Sequence, residues 1–400
     1  MKALRWLLAL LAMAIAIPSP AADDVIGPRQ LHAALQQAVD DGSPGLSAAI
    51  ADRRGVIWTG VAGWADLATH RPMDEAALFG IGSITKVFVA VVVLQLVEEG
   101  KLKLTDTPRK ILGRSAVRGI ANSDVATVAD LLGHKAGVPS WETDPRWIRK
   151  GRGAEFDPTH HWRKTEALAY VRGTGATSPA GESFAYSNSG YTLLGLMIEK
   201  LTGRTAEAEI RRRVLAPLAL TDTYLEGFEP GPAARVPHRY QYLTDKFRTD
   251  AGLAPSFAQV RSDLIDTGAS NLSAEWTAGG LISSPRDLVL FARALNDGRL
   301  LKPASLAYMQ QWSPGFRHME AGHGLFRIAV GETRLVGHTG GVLGFTAVLW
   351  WNENSDTIVA VLSNGSGLHA GKTPPKATTV GLDPAFVSLA IRYARQQNAE

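Results

Sequence analysis

The sequence has no cysteine in its 400 residues, and several familiar catalytic and cofactor motifs are missing as well. Without cysteine there are no disulfide bonds and no lipid anchor attached through a cysteine. No G-x-S-x-G segment is present, so the nucleophile elbow of the α/β-hydrolases is excluded. No Walker motif or G-x-G-x-x-G pattern lies between a predicted strand and helix. We therefore expect no nucleotide and no other cofactor.

A metal centre is not expected either. The histidine-rich segment HMEAGH, residues 318–323, places His318, Glu320 and His323 at spacings that do not share one helical face. Gly322 favours a loop at this point. We interpret these side chains as structural or solvent-facing.

Long runs of one charge are also missing. The 42 Lys and Arg residues nearly balance the 38 Asp and Glu residues, and the formal net charge is +4. The longest arginine run, residues 211–213, lies in a predicted helix and is interpreted as a solvated face. This composition does not favour nucleic acid as a partner.

The apolar stretch nearest the start, residues 6–17, is too short for a membrane-spanning helix, which needs about 20 residues. Lys2 and Arg5 precede it and small residues follow it, which is the pattern of a secretory signal peptide. We expect residues 1–22 to be removed on export. Residues 23–400 should then form one periplasmic or secreted domain without stable membrane insertion.

The rest of the chain predicts strands near both ends and helices between them. Two apolar runs, residues 46–51 and 56–62, flank a polar turn and predict a β-hairpin. Four further strands are predicted near the other end, in FRIAV, TRLVGH, GFTAVLWW and TIVAVLSN. Residues 84–310 are mostly helix and loop by their pattern. This order predicts an α/β fold, in which both ends complete an antiparallel sheet flanked by helices and a helical lobe is inserted.

Three local features refine this prediction. Asp383 is placed to cap a closing helix that starts at Pro384. Thr127 begins a capping-box pattern ahead of LLGHKAG, in which His134 is interpreted as a hydrogen-bonded histidine at the helix end. Residues 229–273 are rich in proline, glycine and polar residues without a clear period, so we expect a binding loop or lid there.

One segment combines reactive side chains with an apolar run. In GIGSITKVFVAVVVLQLVEEG, residues 80–100, Ser83 and Lys86 precede an unbroken run of apolar residues. The run is long for a strand and ends in Glu-Glu-Gly, so it predicts a buried helix on which Ser83 and Lys86 share a face. Burial lowers the pKa of a lysine, and a neutral lysine can take the proton of a serine hydroxyl. Alone, however, S-x-x-K is also typical of a serine cap followed by a surface lysine.

Two further motifs give this pair a context. Tyr186 and Asn188 form the only Y-x-N of the chain, and His338 begins the only Lys/His-Thr-Gly. In this order the three motifs resemble those of the penicillin-recognising serine hydrolases. That family includes class C β-lactamases, serine-type D-alanyl-D-alanine carboxypeptidases, and related esterases and D-amino-acid amidases. The resemblance covers about residues 30–395 and implies a β-lactamase-like fold.

The resemblance implies catalytic roles for the first two motifs. Ser83 is the acylated nucleophile, and Lys86 is its base or proton relay. Tyr186 shares the proton, with its pKa lowered if Lys86 is close and cationic. Asn188 holds Lys86 and the acyl amide by hydrogen bonds. The resemblance leaves open which of Lys86 and Tyr186 is the working base.

The third motif is expected to bind the substrate. His338, Thr339 and Gly340 form the strand edge beside it, and the backbone N–H groups of Ser83 and Gly341 form the oxyanion hole. His338 replaces the lysine of most β-lactamases, which favours the carboxypeptidases and esterases. A histidine titrates near pH ~6.5, so a charge that it lends to a substrate carboxylate is lost above that pH. Gly341 has no hydroxyl where some members use serine or threonine, which leaves carboxylate recognition there open.

The expected function is that of an exported serine hydrolase that forms an acyl-enzyme at Ser83. Its substrate would be an ester or amide: a D-amino-acid peptide, a simple ester or a β-lactam-like compound, with peptidoglycan-derived peptides among the candidates. The alternative is a β-lactam-binding, peptidoglycan-binding or sensor protein that is acylated without efficient turnover. The intact Ser83, Lys86 and Tyr186 favour the enzyme.

Overall fold

The computed structural model describes residues 26–316, 319–330, 333–371 and 384–397. The expected signal peptide, Asp383 and His318 lie outside these ranges. The helices described are α1 (Pro28–Asp40), α2 (Thr85–Glu98), α3 (Pro108–Leu112), α4 (Val128–Leu132), α5 (Pro145–Arg152), α6 (Asn188–Thr202), α7 (Ala206–Ile210), α8 (Asp245–Asp250), α9 (Trp276–Gly279), α10 (Pro285–Asn296), α11 (Pro303–Met309) and α12 (Pro384–Gln397). The strands described are β1 (Gly45–Asp52), β2 (Gly55–Asp66), β3 (Arg71–Pro72), β4 (Phe79–Gly80), β5 (Tyr224–Leu225), β6 (Tyr240–Tyr242), β7 (Ala258–Arg261), β8 (Leu264–Asp266), β9 (Leu281–Ser283), β10 (Ser313–Pro314), β11 (Glu320–Ala321), β12 (Phe326–Val330), β13 (Thr333–Val342), β14 (Phe345–Asn352), β15 (Ile358–Ser363) and β16 (Gly365–Ser366).

The largest sheet joins the two ends of the chain. Its strands lie in the order β10-β11-β12-β13-β14-β15-β1-β2-β3, and every neighbouring pair is antiparallel. β1 pairs with β15, with Leu46 opposite Ser363 and Ala51 opposite Ile358. The predicted sheet is therefore confirmed, including the hairpin β1–β2 and the four strands β12 to β15.

Helices cover both faces of this sheet. All residues of β1 are buried, and successive side chains of a strand point to opposite faces. Ala49 and Ala51 belong to the core beneath the helical lobe, whereas Leu46, Ala48 and Ile50 belong to the core formed with α1 and α12. A strand covered on both faces needs no alternation of polar residues, which explains its continuous apolar sequence.

Helix α2 lies at the centre of the lobe. Residues 85–94 are all buried, as expected for a helix that is apolar on every side. Packing here overrides the preference of valine for strands, since each buried valine or leucine stabilises the fold by about 1.5–3 kcal/mol. The last residue of the helix is Glu98, and Gly100, two residues later, has the left-handed conformation typical of a helix end. Lys101 N–H donates to the Leu96 carbonyl, in agreement with the predicted end. Within the described ranges, no helix is long and apolar enough to cross a membrane.

Residues 229–273, expected to form a binding loop or lid, contain regular structure instead of one long loop. They hold helix α8 and strands β6, β7 and β8. The three strands form a second sheet with β16, in the order β16-β6-β8-β7. These strands have three or four residues each, too few for a hydrophobic period to stand out. A third sheet, in the order β4-β9-β5, lies directly ahead of α2.

The arginine run at residues 211–213 is only partly a solvated face. It opens a π-helical turn, Arg211–Leu215. Arg213 is buried, and its guanidinium lies 2.5 Å from the carboxylates of both Glu209 and Glu99. Two paired carboxylates allow this third arginine to be buried, which sequence pattern did not predict.

Candidate active site

Ser83 lies in a tight turn directly ahead of α2. The turn is the 3₁₀ segment Gly82–Ile84. Gly82 has a φ of 51°, in the left-handed region, and a Cβ at this residue would lie 2.5 Å from the backbone nitrogen of Gly341. Both the conformation and the close approach of β13 therefore require glycine. The turn brings Ser83 against the strand that carries the third motif.

The three side chains predicted to be catalytic meet at one hydroxyl. Lys86 Nζ lies 3.0 Å from Ser83 Oγ, and the Tyr186 hydroxyl lies 2.7 Å from the same oxygen. Ser83 and Lys86 are one helical turn apart, whereas Tyr186 precedes α6 and is 103 positions away from Ser83. The fold therefore brings together the residues that the first two motifs singled out.

Lys86 is fully buried at 0% exposure, which is rare for a lysine. Its Nζ donates to the carbonyl oxygen of Ala278 at 2.5 Å and lies within hydrogen-bond distance of Ser83. Burial lowers the pKa of Lys86 to about 7, although the Glu142 and Glu275 carboxylates oppose the shift. Near neutral pH a large share of Lys86 is therefore the uncharged amine, which can accept a proton.

Tyr186 keeps its proton. Burial raises the pKa of Tyr186 well above its ordinary value, and the hydrogen bond with Ser83 offsets this only in part. The prediction that Lys86 lowers this pKa is wrong, because the desolvation of the phenol dominates. The protonated phenol donates to Ser83 Oγ, so the proton of Ser83 itself can point at Lys86.

His134 supports the ring of Tyr186. The two rings are stacked with their centroids 4.2 Å apart. His134 Nδ1 accepts a hydrogen bond of 3.2 Å from the backbone N–H of Ser187. Burial lowers the pKa of His134 well below its ordinary value, so the ring is neutral. His134 is hydrogen-bonded as predicted, but its bond fixes the Tyr186–Asn188 motif rather than the end of α4.

His338 is neutral and lies in β13. Its Nδ1 is 2.5 Å from the carbonyl oxygen of Thr339, and because a carbonyl can only accept, Nδ1 carries the proton. Burial and the charge of Lys86 lower the pKa of His338 to about 3. The prediction that His338 titrates near neutral pH is therefore wrong. At neutral pH the residue lends no positive charge, and Nε2 is an acceptor.

Gly340 lets β13 cross the serine turn. A Cβ on Gly340 would lie 1.9 Å from the carbonyl oxygen of Ile81 and 3.2 Å from the backbone nitrogen of Ser83, so only glycine permits this contact. Thr339 and Gly341 line the same cavity as Ser83. The backbone nitrogens predicted as the oxyanion hole, those of Ser83 and Gly341, therefore both lie where the turn meets the strand.

Asn188 contacts a carboxylate rather than Lys86. It begins α6, and its Nδ2 donates to Glu142 Oε2. Its Oδ1 is buried and has no hydrogen-bond partner among the described residues. The prediction of a hydrogen bond between Asn188 and Lys86 is therefore wrong. Asn188 instead fixes Glu142, a residue that sequence reasoning missed.

A buried ion network continues from Glu142 beneath the site. Arg152, at the end of α5, donates to Glu142 at 3.1 Å and to Glu275 at 2.7 Å. Burial acts to raise the pKa of Glu142, but the hydrogen bond from Arg152 and the charges of Arg152, His369 and Lys86 together hold that pKa below the ordinary value. Burial raises the pKa of Glu275. No sequence signal marks this trio, because glutamate and arginine are usually exposed and Arg152 is 10 and 123 positions away from its partners.

The site opens into a cavity of about 280 Å³. Its lining residues are Ser83, Glu142, Tyr186, Phe316, Met319, Phe326, His338, Thr339, Gly341 and Leu368. Among these, Glu142 is the one side chain that is charged at neutral pH, since His338 is neutral. The described part of the lining therefore offers an apolar wall and one anion, and none of these residues is a cation that could hold a carboxylate.

A larger cavity of about 460 Å³ lies elsewhere, between Glu226 and the small sheet of residues 229–273. None of the residues predicted for the site lines it, and residues 229–273 do not line the Ser83 cavity. Its polar side chains pair with each other: Arg239 with Glu226, and His238 with Asp266 at 2.7 Å. The expectation of a lid over the site from this segment is therefore not supported.

A family model agrees with this geometry. The model described as Beta-lactamase matches residues 31–378, which include all three motifs and the ion network. The chain belongs to the Beta-lactamase family. The predicted resemblance and the α/β fold are thereby confirmed.

Three proteins illustrate the likeness. Penicillin-binding protein 4 of Amycolatopsis lactamdurans is 28% identical over 302 residues, which are 72% of this chain and 72% of that protein. The D-amino acid amidase of Ochrobactrum anthropi SV3, solved with L-phenylalanine, is 26% identical with a TM-score of 0.78, covering 92% of this chain and 99% of the amidase. A D-stereospecific amidohydrolase of Streptomyces sp. is 30% identical with a TM-score of 0.72, covering 85% and 95% of the two chains. The chain thus belongs to a family of serine-hydrolase-type enzymes.

Proposed function

We propose that this protein is a serine hydrolase that forms an acyl-enzyme at Ser83 with amides or esters of amino acids. The observation that carries the proposal is the position of Ser83 Oγ, within 3.0 Å of the buried Lys86 amine and 2.7 Å of the Tyr186 hydroxyl. A serine hydroxyl becomes a good nucleophile when a base lies within hydrogen-bond reach. Lys86, with a pKa of about 7, is that base, and Tyr186 is a proton donor and relay.

Acylation begins when Lys86 Nζ takes the proton of Ser83 and Oγ attacks the substrate carbonyl carbon. The hydrogen bond from Nζ to the Ala278 carbonyl turns the lone pair of the neutral amine toward Ser83. The backbone N–H groups of Ser83 and Gly341 stabilise the negative charge on the carbonyl oxygen, helped by the start of α2. The C–N or C–O bond then breaks. Tyr186 gives its proton to the leaving amine or alcohol and takes the proton held by Lys86.

Deacylation uses the same groups in reverse. Lys86 takes a proton from a water molecule, directly or through Tyr186, and the hydroxide attacks the acyl carbon. The ester bond to Ser83 Oγ breaks, the acid leaves, and Lys86 returns the proton to Oγ. Each group then has the proton with which it started.

The charges of the cavity indicate the substrate class. Glu142 attracts an ammonium group, and none of the described lining side chains carries the positive charge that would hold a carboxylate. Phe316, Met319, Phe326 and Leu368 provide contact for an apolar side chain. An amide or ester of an apolar amino acid with a free amine meets these conditions. The similarity to a D-amino acid amidase and a D-stereospecific amidohydrolase supports D-amino-acid amides as the first candidates.

The covalent step is tested by labelling with a fluorophosphonate. Mass spectrometry should place the adduct in the peptide that contains Ser83, and Ser83→Ala should not be labelled. An adduct on another residue of the wild-type protein, or labelling that survives Ser83→Ala, would contradict the proposal.

The substrate class is tested with a small panel at pH 7. We expect D-phenylalanine amide to have a kcat/KM about 10–100 times that of N-acetyl-D-phenylalanine amide, because acetylation removes the ammonium group that Glu142 binds. L-phenylalanine amide is the control for stereochemistry. Hydrolysis of benzylpenicillin should be slow, and efficient hydrolysis would show that a group outside the lining residues holds its carboxylate.

We further propose that the protein is exported. The support is the basic, apolar and small-residue pattern of residues 1–22. Protein recovered from the periplasm or medium should begin near Ala22 or Asp23, which N-terminal sequencing would establish. An N-terminus at Met1 in the membrane fraction would contradict export with cleavage.

A further inference from the structure

The ion network joins the substrate cavity to the segment that contacts Lys86. Arg152 is buried and holds Glu142 through one nitrogen and Glu275 through another. Glu275 directly precedes α9, and the α9 residue Ala278 accepts the hydrogen bond from Lys86 Nζ. Glu142 lines the substrate cavity. Arg152 therefore joins the two carboxylates whose charges act on Lys86.

Few of the groups that face Lys86 carry a charge at neutral pH. Among the described residues of the elements packed around it, the titratable and charged groups are Tyr186, Tyr191, His134, His338, Glu142 and Glu275. Burial keeps both tyrosines protonated and both histidines neutral. His369, which faces Glu142 and Arg152, is also neutral, since burial lowers its pKa to about 4. The remaining groups are the Arg152 guanidinium and the two carboxylates with which it forms ion pairs, and this trio carries a net charge of −1.

The segment between Glu275 and Ala278 also has a constrained backbone. Trp276 is 1% exposed and has a φ of 38°, a conformation that side chains other than glycine rarely adopt. Such a conformation persists only where the surroundings determine it. The ion pair from Glu275 to Arg152 fixes one side of this turn, and the contact from Ala278 to Lys86 lies on the other.

We propose that Arg152 and Glu275 are positioning residues that set the net charge around Lys86 and thereby the pH at which Ser83 is activated. Neither residue lines the substrate cavity, so they act through Lys86 rather than on the substrate. The inference rests on the proposed function, in which neutral Lys86 is the base. It assigns a purpose to a buried arginine that the acylation chemistry itself does not use.

Glu275→Gln tests the inference directly. The substitution keeps the size of the side chain and an oxygen to accept from Arg152, but changes the net charge of the network from −1 to 0. The ammonium form of Lys86 then loses stabilisation, so the rate of Ser83 labelling should rise at lower pH. We expect the ascending limb of the second-order labelling rate with a neutral fluorophosphonate to move down by about one pH unit.

A double variant separates charge from structure. Arg152→Met combined with Glu275→Gln leaves Glu142 as the only charge and restores the net charge to −1. The ascending limb should return toward that of the wild type, even though the ion pair is absent. If the network had a purely structural role, the labelling rate would rise over the wild-type pH range in both variants, and the double variant would be labelled more slowly. Arg152→Met alone is avoided, because two unpaired buried carboxylates would destabilise the fold.

Glu155→Gln is the matched control. Glu155 also pairs with an arginine, Arg149, but the Glu155 side chain is 57% exposed. The labelling rate of Glu155→Gln should therefore rise over the same pH range as that of the wild type. Circular dichroism and gel filtration establish that each variant is folded. If the labelling rate of Glu275→Gln rises over the same pH range as that of the wild type, the inference is overturned.

Lys86→Met distinguishes the failure of this inference from that of the proposed function. If Lys86→Met is not labelled but the Glu275→Gln limb stays in place, only the network has no effect on activation. If Lys86→Met is labelled as fast as the wild type, Lys86 is not the base, and both proposals fall.

Discussion

The cavity beside Ser83 and the larger cavity beside His238 differ in how their charged side chains meet solvent. In the larger one, the His238 side chain is 45% exposed and lies 2.7 Å from Asp266, so the ring is in contact with water as well as with its partner. In the smaller one, Lys86 is fully buried, and burial lowers its pKa to about 7. The comparison indicates that a desolvated base next to a nucleophile is a better guide to the active site than the volume of a cavity.

The largest expected effect separates two serines. Ser83→Ala should reduce turnover of D-phenylalanine amide by at least about 10³-fold, because it removes the hydroxyl that lies 3.0 Å from the Lys86 amine. Ser270 lines the larger cavity, and its buried Oγ has no hydrogen-bond partner among the described residues. Ser270→Ala should leave kcat/KM within about twofold of the wild type. A comparable loss in both variants would contradict the assignment of the site.

The second effect separates two bases. Lys86→Met keeps the apolar length of the side chain but removes the amine, so labelling of Ser83 should slow by about 10²–10⁴-fold. His238→Gln, in the larger cavity, is the control and should label at the wild-type rate. Rates are measured by stopped assays with the fluorophosphonate. Fast labelling of Lys86→Met would show that another group removes the serine proton.

The third effect separates two carboxylates. Glu142→Gln should lower the preference for D-phenylalanine amide over its N-acetyl derivative by about tenfold, since the amide no longer attracts the ammonium group. The ratio of the two kcat/KM values cancels any change in Lys86 that both substrates share. Glu226→Gln, in the larger cavity, should leave the ratio unchanged. An unchanged ratio in Glu142→Gln would place the ammonium group elsewhere.

The smallest effect concerns the support of Tyr186. His134→Phe keeps an aromatic ring against Tyr186 but leaves the N–H of Ser187 without its acceptor, a loss of about 1 kcal/mol in the free energy of unfolding. The loss is moderate because the variant also removes His134 Nε2, which is buried and has no partner among the described residues. Urea denaturation monitored by tryptophan fluorescence measures it. Stability equal to that of the wild type would show that this hydrogen bond contributes nothing.

The sequence predicted the parts of the site that are local or that recur as motifs. Ser83, in the turn ahead of α2, is three residues from Lys86 in the first turn of that strongly apolar helix, and strands β12 to β15 are long enough to show their pattern. The network of Glu142, Arg152 and Glu275 was out of reach, because its members are distant in sequence and belong to residue types that are usually exposed. The protonation of Tyr186 and His338 was predicted wrongly for a related reason. Their pKa values depend on burial, which three-dimensional packing decides.

The central claim is that neutral Lys86 activates Ser83, and the pH dependence of Ser83 labelling by an uncharged fluorophosphonate tests it most directly. Because burial lowers the pKa of Lys86 to about 7, the labelling rate should rise through pH 7 and then stay level up to at least pH 9. His338 should add no inflection near pH 6.5, since burial lowers its pKa to about 3. A rate that rises only above pH ~10 would contradict the account, because it would indicate an ordinary lysine or an anionic Tyr186 as the base.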